Sequence, residues 1–454
     1  MSLFNGLEIA KRSMQVQRNQ LNIANHNIAN ASTAGYSRQE GIQVSSFVTR
    51  TTKGVVGNGV VMAYVQRARN PFYDAQFRQE SQNLGYWDVQ RSAIEQIEFI
   101  LNEPGNTGID HAISQFKMAL HDLTTNPQSP AVRASLQQQG KALAEVISHV
   151  YRQGEDLANQ IRSEIQITIN EINGLADELA ALNRQISKLV TTGRNANDLL
   201  DRRDHLLDQL SFLVDFSYSV EPNNSITISI GGQVLVQDNQ ANHLQLDTSG
   251  GDVKVLWGDG STVQLSSGAL QGLIDVEREM IPKYLDALDT LARGLILGLN
   301  EVHRAGFGLD GSTGLDFFVG TGAKDIQLAP EIAEDYKKIA ASDTPDEEGN
   351  AGNALRLLET MDDRIIDNGK ASYQEYFTAL IAALGVEARH AANMTTNQSM
   401  LVSQLENLRH STSSVSIDEE VANIIKYQHA FNASARVVNV IDEMLTTLIE
   451  RTGR

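Results

Sequence analysis

The chain has 454 residues, a formal net charge of −19 and no cysteine. The length points to about three domains. The acidic balance, without any run of lysine or arginine, argues against a nucleic-acid partner, and the missing thiols exclude disulfides and thiolate metal sites. No apolar run approaches the ~18 residues of a membrane span. The opening Met1-Ser2-Leu3-Phe4-Asn5-Gly6 turns amphipathic at once, so no cleavable secretion signal is expected.

The first helix carries Leu3, Leu7, Ala10, Met14, Gln17, Leu21, Ala24 and Ile28 in alternating steps of four and three, the period of a coiled-coil seam. Asn, Ser, Thr and Gly crowd positions 27–39, which stops the helix near Asn30 and turns the backbone at Gly35. Ile42, Val44 and Val48, then Val60, Met62 and Tyr64, alternate as two strands bent at Gly57-Asn58-Gly59. Pro71 opens a helix, apolar at Phe72, Leu84, Trp87, Ile94, Ile97 and Leu101, that Pro104-Gly105 closes. A short helix through Ile109, Ile113, Phe116, Leu120 and Leu123 ends at Asn126-Pro127 and Ser129-Pro130. Positions 131–190 then read as one periodic segment, marked by Leu157, Ile161, Ile165, Ile172, Leu175, Leu179, Leu182, Ile186 and Leu189. Unbroken, it would reach ~90 Å, a length that belongs to rods, bundles and coiled coils. Thr191-Thr192-Gly193-Arg194 breaks it, and Asn197 or Asp198 caps a helix running to Leu213.

The period next changes to two. Phe216, Tyr218 and Val220; Ile226, Ile228 and Ile230; Val234 and Val236; Leu244 and Leu246; Val253 and Val255; and Val263 and Leu265 alternate with polar residues. Asn223-Asn224, Gly231-Gly232, Gly250-Gly251 and Asp259-Gly260 stand at hairpin positions, so a small antiparallel β unit is inserted into a helical protein. Helical pattern returns over 269–302, followed by a Gly-rich loop at 306–322 and an acidic loop at 343–353. A long helix over 373–409 is linked by Ser411-Thr412-Ser413-Ser414 to the last helix, 416–450. Ser416 and Glu419 form a capping box at its start. One heptad line holds Ile417, Ile424, Phe431, Val438 and Leu445; the other holds Val421, Gln428, Ala435, Asp442 and Ile449 and is mixed. A seam this narrow needs a partner, and the first helix has the matching period.

The expected fold is mainly α with β, nested and discontinuous. Paired terminal coiled-coil helices form one domain (1–47 and 411–454). A long-helix bundle with a β-hairpin forms the second (48–213 and 269–410), and a small inserted antiparallel β domain the third (214–268).

Catalytic and cofactor motifs give little. Gly306-Phe307-Gly308-Leu309-Asp310-Gly311 fits GxGxxG but follows a helix instead of a strand, against the dinucleotide fingerprint. Asp310, Ser312 and Asp316 resemble a calcium loop faintly, yet the position for the bidentate Glu is Thr321. The 10 histidines form no HExxH, and no GxSxG occurs. No cofactor, metal or enzymatic activity is expected. One polar cluster stands out, Asn197-Asp198-Leu199-Leu200-Asp201-Arg202-Arg203-Asp204. Asp198 with Arg202 and Asp201 with His205 are i,i+4 neighbours, which by itself describes a capped surface helix.

Asn27-Ile28-Ala29-Asn30-Ala31 with Thr33, Gly35, Tyr36, Ser37 and Arg38 resembles the N-terminal signature of bacterial flagellar axial proteins, the rod, hook and hook-associated families. The cluster with Asp198, Asp201, Arg203 and Asp204, and the closing Asp418-Glu419-Glu420-Val421-Ala422-Asn423-Ile424-Ile425 with Tyr427-Gln428 and Ala433, Ala435, Arg436 and Val437, are similar to the hook-associated protein 1 family. The resemblance covers the termini and helical halves well and the β insert poorly. It implies a structural subunit of the flagellum that joins hook to filament by self-assembly through its terminal helices. The implied seam comprises Leu3, Leu7, Met14, Leu21, Ile28, Ile417, Val421, Ile424, Phe431, Val438 and Leu445. Implied partners are further copies in a ring or tube, hook protein, hook-associated protein 3, and an export chaperone at the C-terminal helices, with no nucleic acid and no membrane. Export unfolded through the flagellar type III apparatus would place it outside the cell without a cleaved signal. Another axial protein (hook, rod or hook-associated protein 3) and an intracellular coiled-coil scaffold are the competing readings.

Overall fold

In the computed structural model, residues 3–51, 54–101, 108–250, 253–364, 366 and 369–452 are described. Helix α1 (Leu3–Ala29) leads into a hairpin of two ladders. Strand β1 (Gln39–Ser45) pairs antiparallel with β4 (Val60–Arg67), and farther out β2 (Val48–Thr51) pairs with β3 (Gly54–Gly57). The bend expected at Gly57-Asn58-Gly59 is therefore the joint between the ladders and not their tip. There the Asn58 N–H donates to Phe47 O at 3.2 Å, and Gly59 takes φ +87°.

Helices α2 (Pro71–Leu101), α3 (Ile109–Thr125), α4 (Pro130–Thr191) and α5 (Asn197–Leu213) follow. The stop expected for α2 at Pro104-Gly105 lies outside the described residues. Helix α4 runs 62 residues without a break. Pro130 at its first turn is preset for helical φ, and Gly193 at φ +70° ends it, letting the Arg194 N–H reach Leu189 O at 2.9 Å. Its apolar positions form one buried stripe from Leu136 through Ile147, Ile161, Ile169, Leu179 and Ile186. Neither Asn197 nor Asp198 caps α5 as expected; Ala196 precedes it, and the Asn195 side chain accepts the Asn197 N–H at 2.9 Å.

The β insert is a meander of β5 (Ser217–Val220), β6 (Ile226–Ile230), β7 (Gln233–Gln237) and β8 (Gln240–Ala241), plus the pair β9 (Leu244–Asp247) and β10 (Lys254–Trp257). Gly231 and Gly232, at φ +54° and +85°, make the β6–β7 turn. Val263 and Leu265 extend no strand; the segment is tied by a single bridge between Leu256 and Thr262. Two asparagines on α4 dock the insert as if they were strand backbone. Asn183 donates to Ile226 O and accepts from its N–H at 2.8 and 2.9 Å, and Asn173 does the same for Leu244 at 2.9 and 2.8 Å. Its buried Ile226, Ile228 and Val236 are continuous with the core of the helices.

The single helix expected over 269–302 is three pieces: α6 (Gly268–Asp275), a π-helical stretch (Val276–Met280) and α7 (Ile281–Ala305). Pro282 lacks the N–H that the α ladder needs there, which accounts for the wider turn. Beyond lie the short pair β11 (Phe318–Val319) and β12 (Gln327–Leu328), then α8 (Pro330–Glu334) and α9 (Gly352–Asp362). The acidic loop yields to α9 at Gly352, a helix that periodicity did not single out. Helix α10 (Tyr373–Ser413) starts on a capping box of Ser372 and Glu375 and continues past Arg409, so the linker to α11 (Ile417–Thr452) shrinks to 414–416.

Candidate functional site

Helices α1 and α11 lie antiparallel. Ser13 Oγ meets Ser434 Oγ at 2.9 Å, and a Cβ on Gly6 would lie 3.3 Å from the end of the Ile441 side chain, so the first turn of α1 faces the last turns of α11. The side of α11 turned toward α1 carries Glu420, Ile424, Tyr427, Phe431, Ser434, Val438, Ile441 and Leu445, all buried or half-buried. One expected heptad line is thus present as Ile424, Phe431, Val438 and Leu445. The other is displaced by one residue: Val421, Gln428 and Asp442 point away, and Glu420, Tyr427 and Ile441 take their places. Ile417 and Val421 are 53% and 44% exposed, outside the intrachain seam.

On α1 the fully buried residues are Ala10, Val16, Gln20, Ala24 and Asn27, while Leu3, Leu7, Met14, Leu21 and Ile28 are half-buried. The physical reason is that α1 also carries the hairpin: the Gln20 side chain donates to Gly41 O at 2.7 Å. The outward side of α11 keeps Val421, Ile425, Val437, Val440, Met444, Leu448 and Ile449 exposed. A helix that leaves this much apolar surface in water is incompletely partnered.

Where this pair meets the helical body, charge replaces hydrocarbon. The loop after α1 is folded by Asn27, whose Oδ1 accepts from the Gln39 N–H at 2.9 Å and from the Tyr36 hydroxyl at 2.8 Å, while its Nδ2 donates to Gln39 O at 3.0 Å. Asn30 Oδ1 accepts from the Thr33 hydroxyl. Gly35 sits at φ +76°, and any Cβ there would come within 2.9 Å of His205 Cβ, so the loop presses on α5 at a position only glycine permits. Ser37 then fastens the loop to α5, donating its N–H and hydroxyl to the two carboxylate oxygens of Asp201 at 3.0 and 2.7 Å. Arg38 reaches the other way: its Nε donates to Glu420 on α11 at 2.8 Å, and its N–H caps Ser413 O at the end of α10.

Beneath the loop lies a buried lattice of ions. Arg67 donates to Asp201 and Asp204 at 2.9 and 2.7 Å; Arg69 bridges Asp204 and Asp74 at 3.2 and 2.9 Å. Arg78 binds Asp208 at 2.7 Å, and Arg409, from α10, spans Asp208 and Asp74 at 2.5 and 2.8 Å while lying over the Phe77 ring. Five elements (β4, the turn into α2, α2 itself, α5 and α10) are thus held at one point.

Burial pushes the Asp204 carboxyl up, but Arg67, Arg69, Arg78 and Arg203 around it outweigh burial and hold it at about 2. Asp201 goes the opposite way, raised by burial that Arg67 and Ser37 only partly offset. The neighbours differ because Asp204 is surrounded by guanidinium groups, whereas Asp201 has a close one only in Arg67. Arg203 buries its stem and donates to Asn224 O at 2.8 Å, and burial lowers it.

The surface-helix reading of the Asn197–Asp204 cluster therefore holds only for Asp198 and Arg202, which stay exposed beside His26 and Glu178. Asp201, Arg203 and Asp204 are buried, and the i,i+4 pairings expected from spacing are replaced by long-range ones. Sequence reasoning missed Arg67, Arg69, Asp74, Arg78, Asp208 and Arg409; the face of α2 that buries Arg78 holds Asp74, Ser81 and Gly85, so no apolar period marked it. The GxGxxG loop holds no phosphate-type cradle: Asp310 accepts from Ser312 N–H, and Asp316 pairs with Arg304. Among the described residues no group of acidic and histidine side chains is arranged to hold a metal ion, and no helix is long and apolar enough to cross a membrane.

Residues 94–318 match the family described as flagellar hook-associated protein FlgK helical domain, and residues 410–451 match the flagellar basal body rod FlgEFG protein C-terminal family. The flagellar hook-associated protein 1 of Bacillus subtilis (strain 168) is 31% identical over 504 residues, covering 100% of this chain and 99% of that protein. The chain belongs to the flagellar hook-associated protein 1 family. Its counterpart in Escherichia coli (strain K12) is 25% identical, covering 94% of this chain and 96% of that protein. The flagellar hook junction protein FlgK from Burkholderia pseudomallei has the same fold, with a TM-score of 0.67 at 14% identity, over 75% of this chain and 100% of that one. Membership of the family makes this a structural component of the flagellum at the hook–filament junction, part of the cell's external motility apparatus, and not an enzyme.

Proposed function

We propose that the chain assembles through α1 and α11 into a ring or tube of like helices, with the long-helix body and the β insert projecting outward. In this reading residues 1–47 and 411–454 are the assembly domain, 48–213 and 269–410 the body, and 214–268 the insert. The observation that carries it is the row of apolar side chains that α11 leaves exposed, Val421, Ile425, Val437, Val440, Met444 and Ile449. Full burial of one such side chain contributes about 1.5–3 kcal/mol, so a copy-to-copy contact along the row is strongly favoured once its ends are aligned. The seam residues Leu3, Leu7, Met14, Leu21, Ile28, Ile424, Phe431, Val438 and Leu445 hold the pair, and Ile417 and Val421 face the next copy. Hook protein on one side and hook-associated protein 3 on the other are the neighbours along the axis. Before assembly the chain travels unfolded through the type III export apparatus, with a chaperone on its C-terminal helices. The buried ion lattice sets the angle between assembly domain and body.

The test is incorporation at the hook tip in living cells. Leu21→Asp, Ile424→Asp and Val440→Asp are each expected to abolish incorporation and filament growth while the body keeps its helical circular dichroism. Variants that still join the hook and support filaments would remove these helices as the assembly surface.

A further inference from the structure

Arg133 lies in the first turn of α4 and is 1% exposed, far from the ion lattice in sequence and in no ion pair with any described carboxylate. Its Nε–H donates to Pro127 O at 2.5 Å and one Nη1–H to Ile339 O at 2.6 Å. Both partners are neutral carbonyls, and Nη2 has no hydrogen-bond partner among the described residues. Burial lowers the guanidinium to about 10, with the charge of Asp310 opposing only weakly. A buried cation without a paired counter-charge is costly, and the contrast with Arg69, Arg78 and Arg409, each on two or more carboxylates, is direct.

The side chain lines a cavity of about 170 Å³ whose other walls include Phe307, Gly308 and Ser342, with the exposed carboxylates Asp346, Glu347 and Glu348. Glu347 is held in place, accepting through Oε2 from the Thr344 hydroxyl at 2.9 Å and from Asn350 at 3.0 Å. The volume is below the ~300 Å³ of pockets for larger organic ligands and corresponds to a handful of water-sized units of about 30 Å³. One wall is thus cationic and buried, the other anionic and open. A phosphate would meet three carboxylates, a simple monocarboxylate would leave them unanswered, and a simple amine would leave Arg133 unanswered.

We propose that this cavity binds a small zwitterionic α-amino acid, its carboxylate on Arg133 Nη2 and its ammonium among Asp346, Glu347 and Glu348. Bound there, the ligand bridges the first turn of α4, the loop after α7 and the loop before α9. The inference is independent of how the terminal helices assemble.

The full-length protein is titrated by calorimetry with glycine and L-alanine, and in parallel with acetate, methylammonium and inorganic phosphate. The amino acids are expected to bind about tenfold or more tightly than acetate or methylammonium, since each end adds a charge-assisted hydrogen bond. Because an Arg133 variant risks losing the Pro127 and Ile339 contacts and the fold with them, the decisive variant is Glu347→Gln combined with Glu348→Gln. It is expected to weaken L-alanine by about tenfold and leave acetate unchanged. Absence of amino-acid binding at tens of millimolar, phosphate or acetate binding as tightly as L-alanine, or an unaffected double variant each overturns the proposal and leaves Arg133 as a staple between two carbonyls.

Discussion

Helices α4 and α11 are both long, amphipathic and regular, yet they end in opposite conditions. Along α4, Leu143, Ile165, Ile169, Ile172 and Leu179 are wholly inaccessible, covered by neighbouring helices on one stretch and by the β insert on another. Along α11, Glu420 and Ile441 alone are buried among the residues whose side chains are described, because α1 covers one narrow face of it. The difference teaches that periodicity promises an apolar stripe but not its cover. Helix α4 is completed within one molecule, and α11 keeps most of its apolar surface exposed.

Four measurements break or sharpen that contrast. The largest effect is expected at the lattice joining the two regions. Asp204→Ala leaves Arg67, Arg69 and Arg78 buried without their shared anion and costs about 3–5 kcal/mol in urea denaturation; a loss under 1 kcal/mol would mean that the lattice is ornamental to stability. Next, Ile169→Ala, in the completed helix, empties a closed part of the core and costs about 2–5 kcal/mol in the same assay.

Acid gives the third. The folded value of Asp204, about 2, lies below its ordinary 3.8, so its contribution is complete above 3.8 and is lost as pH falls through about 2. The amount is about 2 kcal/mol. Asp201 has the opposite sign: its raised value favours the neutral form in the fold, a contribution complete below 3.8 and lost as pH rises through the folded value. Stability measured from pH 4 to pH 2 should therefore fall in the native chain and fall less in Asp204→Asn, where only the Asp201 part and the remaining carboxylates respond. Equal slopes in the two would dissociate Asp204 from acid sensitivity. The smallest effect belongs to the open helix: Ile424→Ala should cost the isolated monomer less than about 1 kcal/mol, since that side chain is only half-buried there. A loss matching that of Ile169→Ala would show that the terminal pair is as complete as the body.

The elements themselves were largely readable. The 62-residue α4 was visible because its stripe keeps the helical period without a proline or glycine pair to interrupt it, and the meander because Asn224, Gly231 and Gly232 supply the positive φ its turns need. Pairing of the termini was visible in two seams of one period. Less readable was register: a helix shows a ring of candidate faces, and α11 turns Glu420 inward in place of Val421, where it meets Arg38. The candidate site was half visible. Asp201 and Asp204 stood in a recognisable cluster, but their partners Arg67, Arg69, Arg78 and Arg409 are single arginines scattered over the chain, and nothing in their local surroundings distinguishes a buried guanidinium from a solvated one.

By itself, then, the order of amino acids determined the long α4 stripe, the turns of the β meander, the common period of first and last helices, and the absence of thiol chemistry, since each is written in local periodicity or in composition. The fold alone decided which carboxylates ionise at unusual acidity, where α11 turns its apolar surface, and that Arg133 is buried on two carbonyls with no ion pair to a described carboxylate. Those properties depend on which distant groups share a low-dielectric space, and that is settled only when the chain has closed around them.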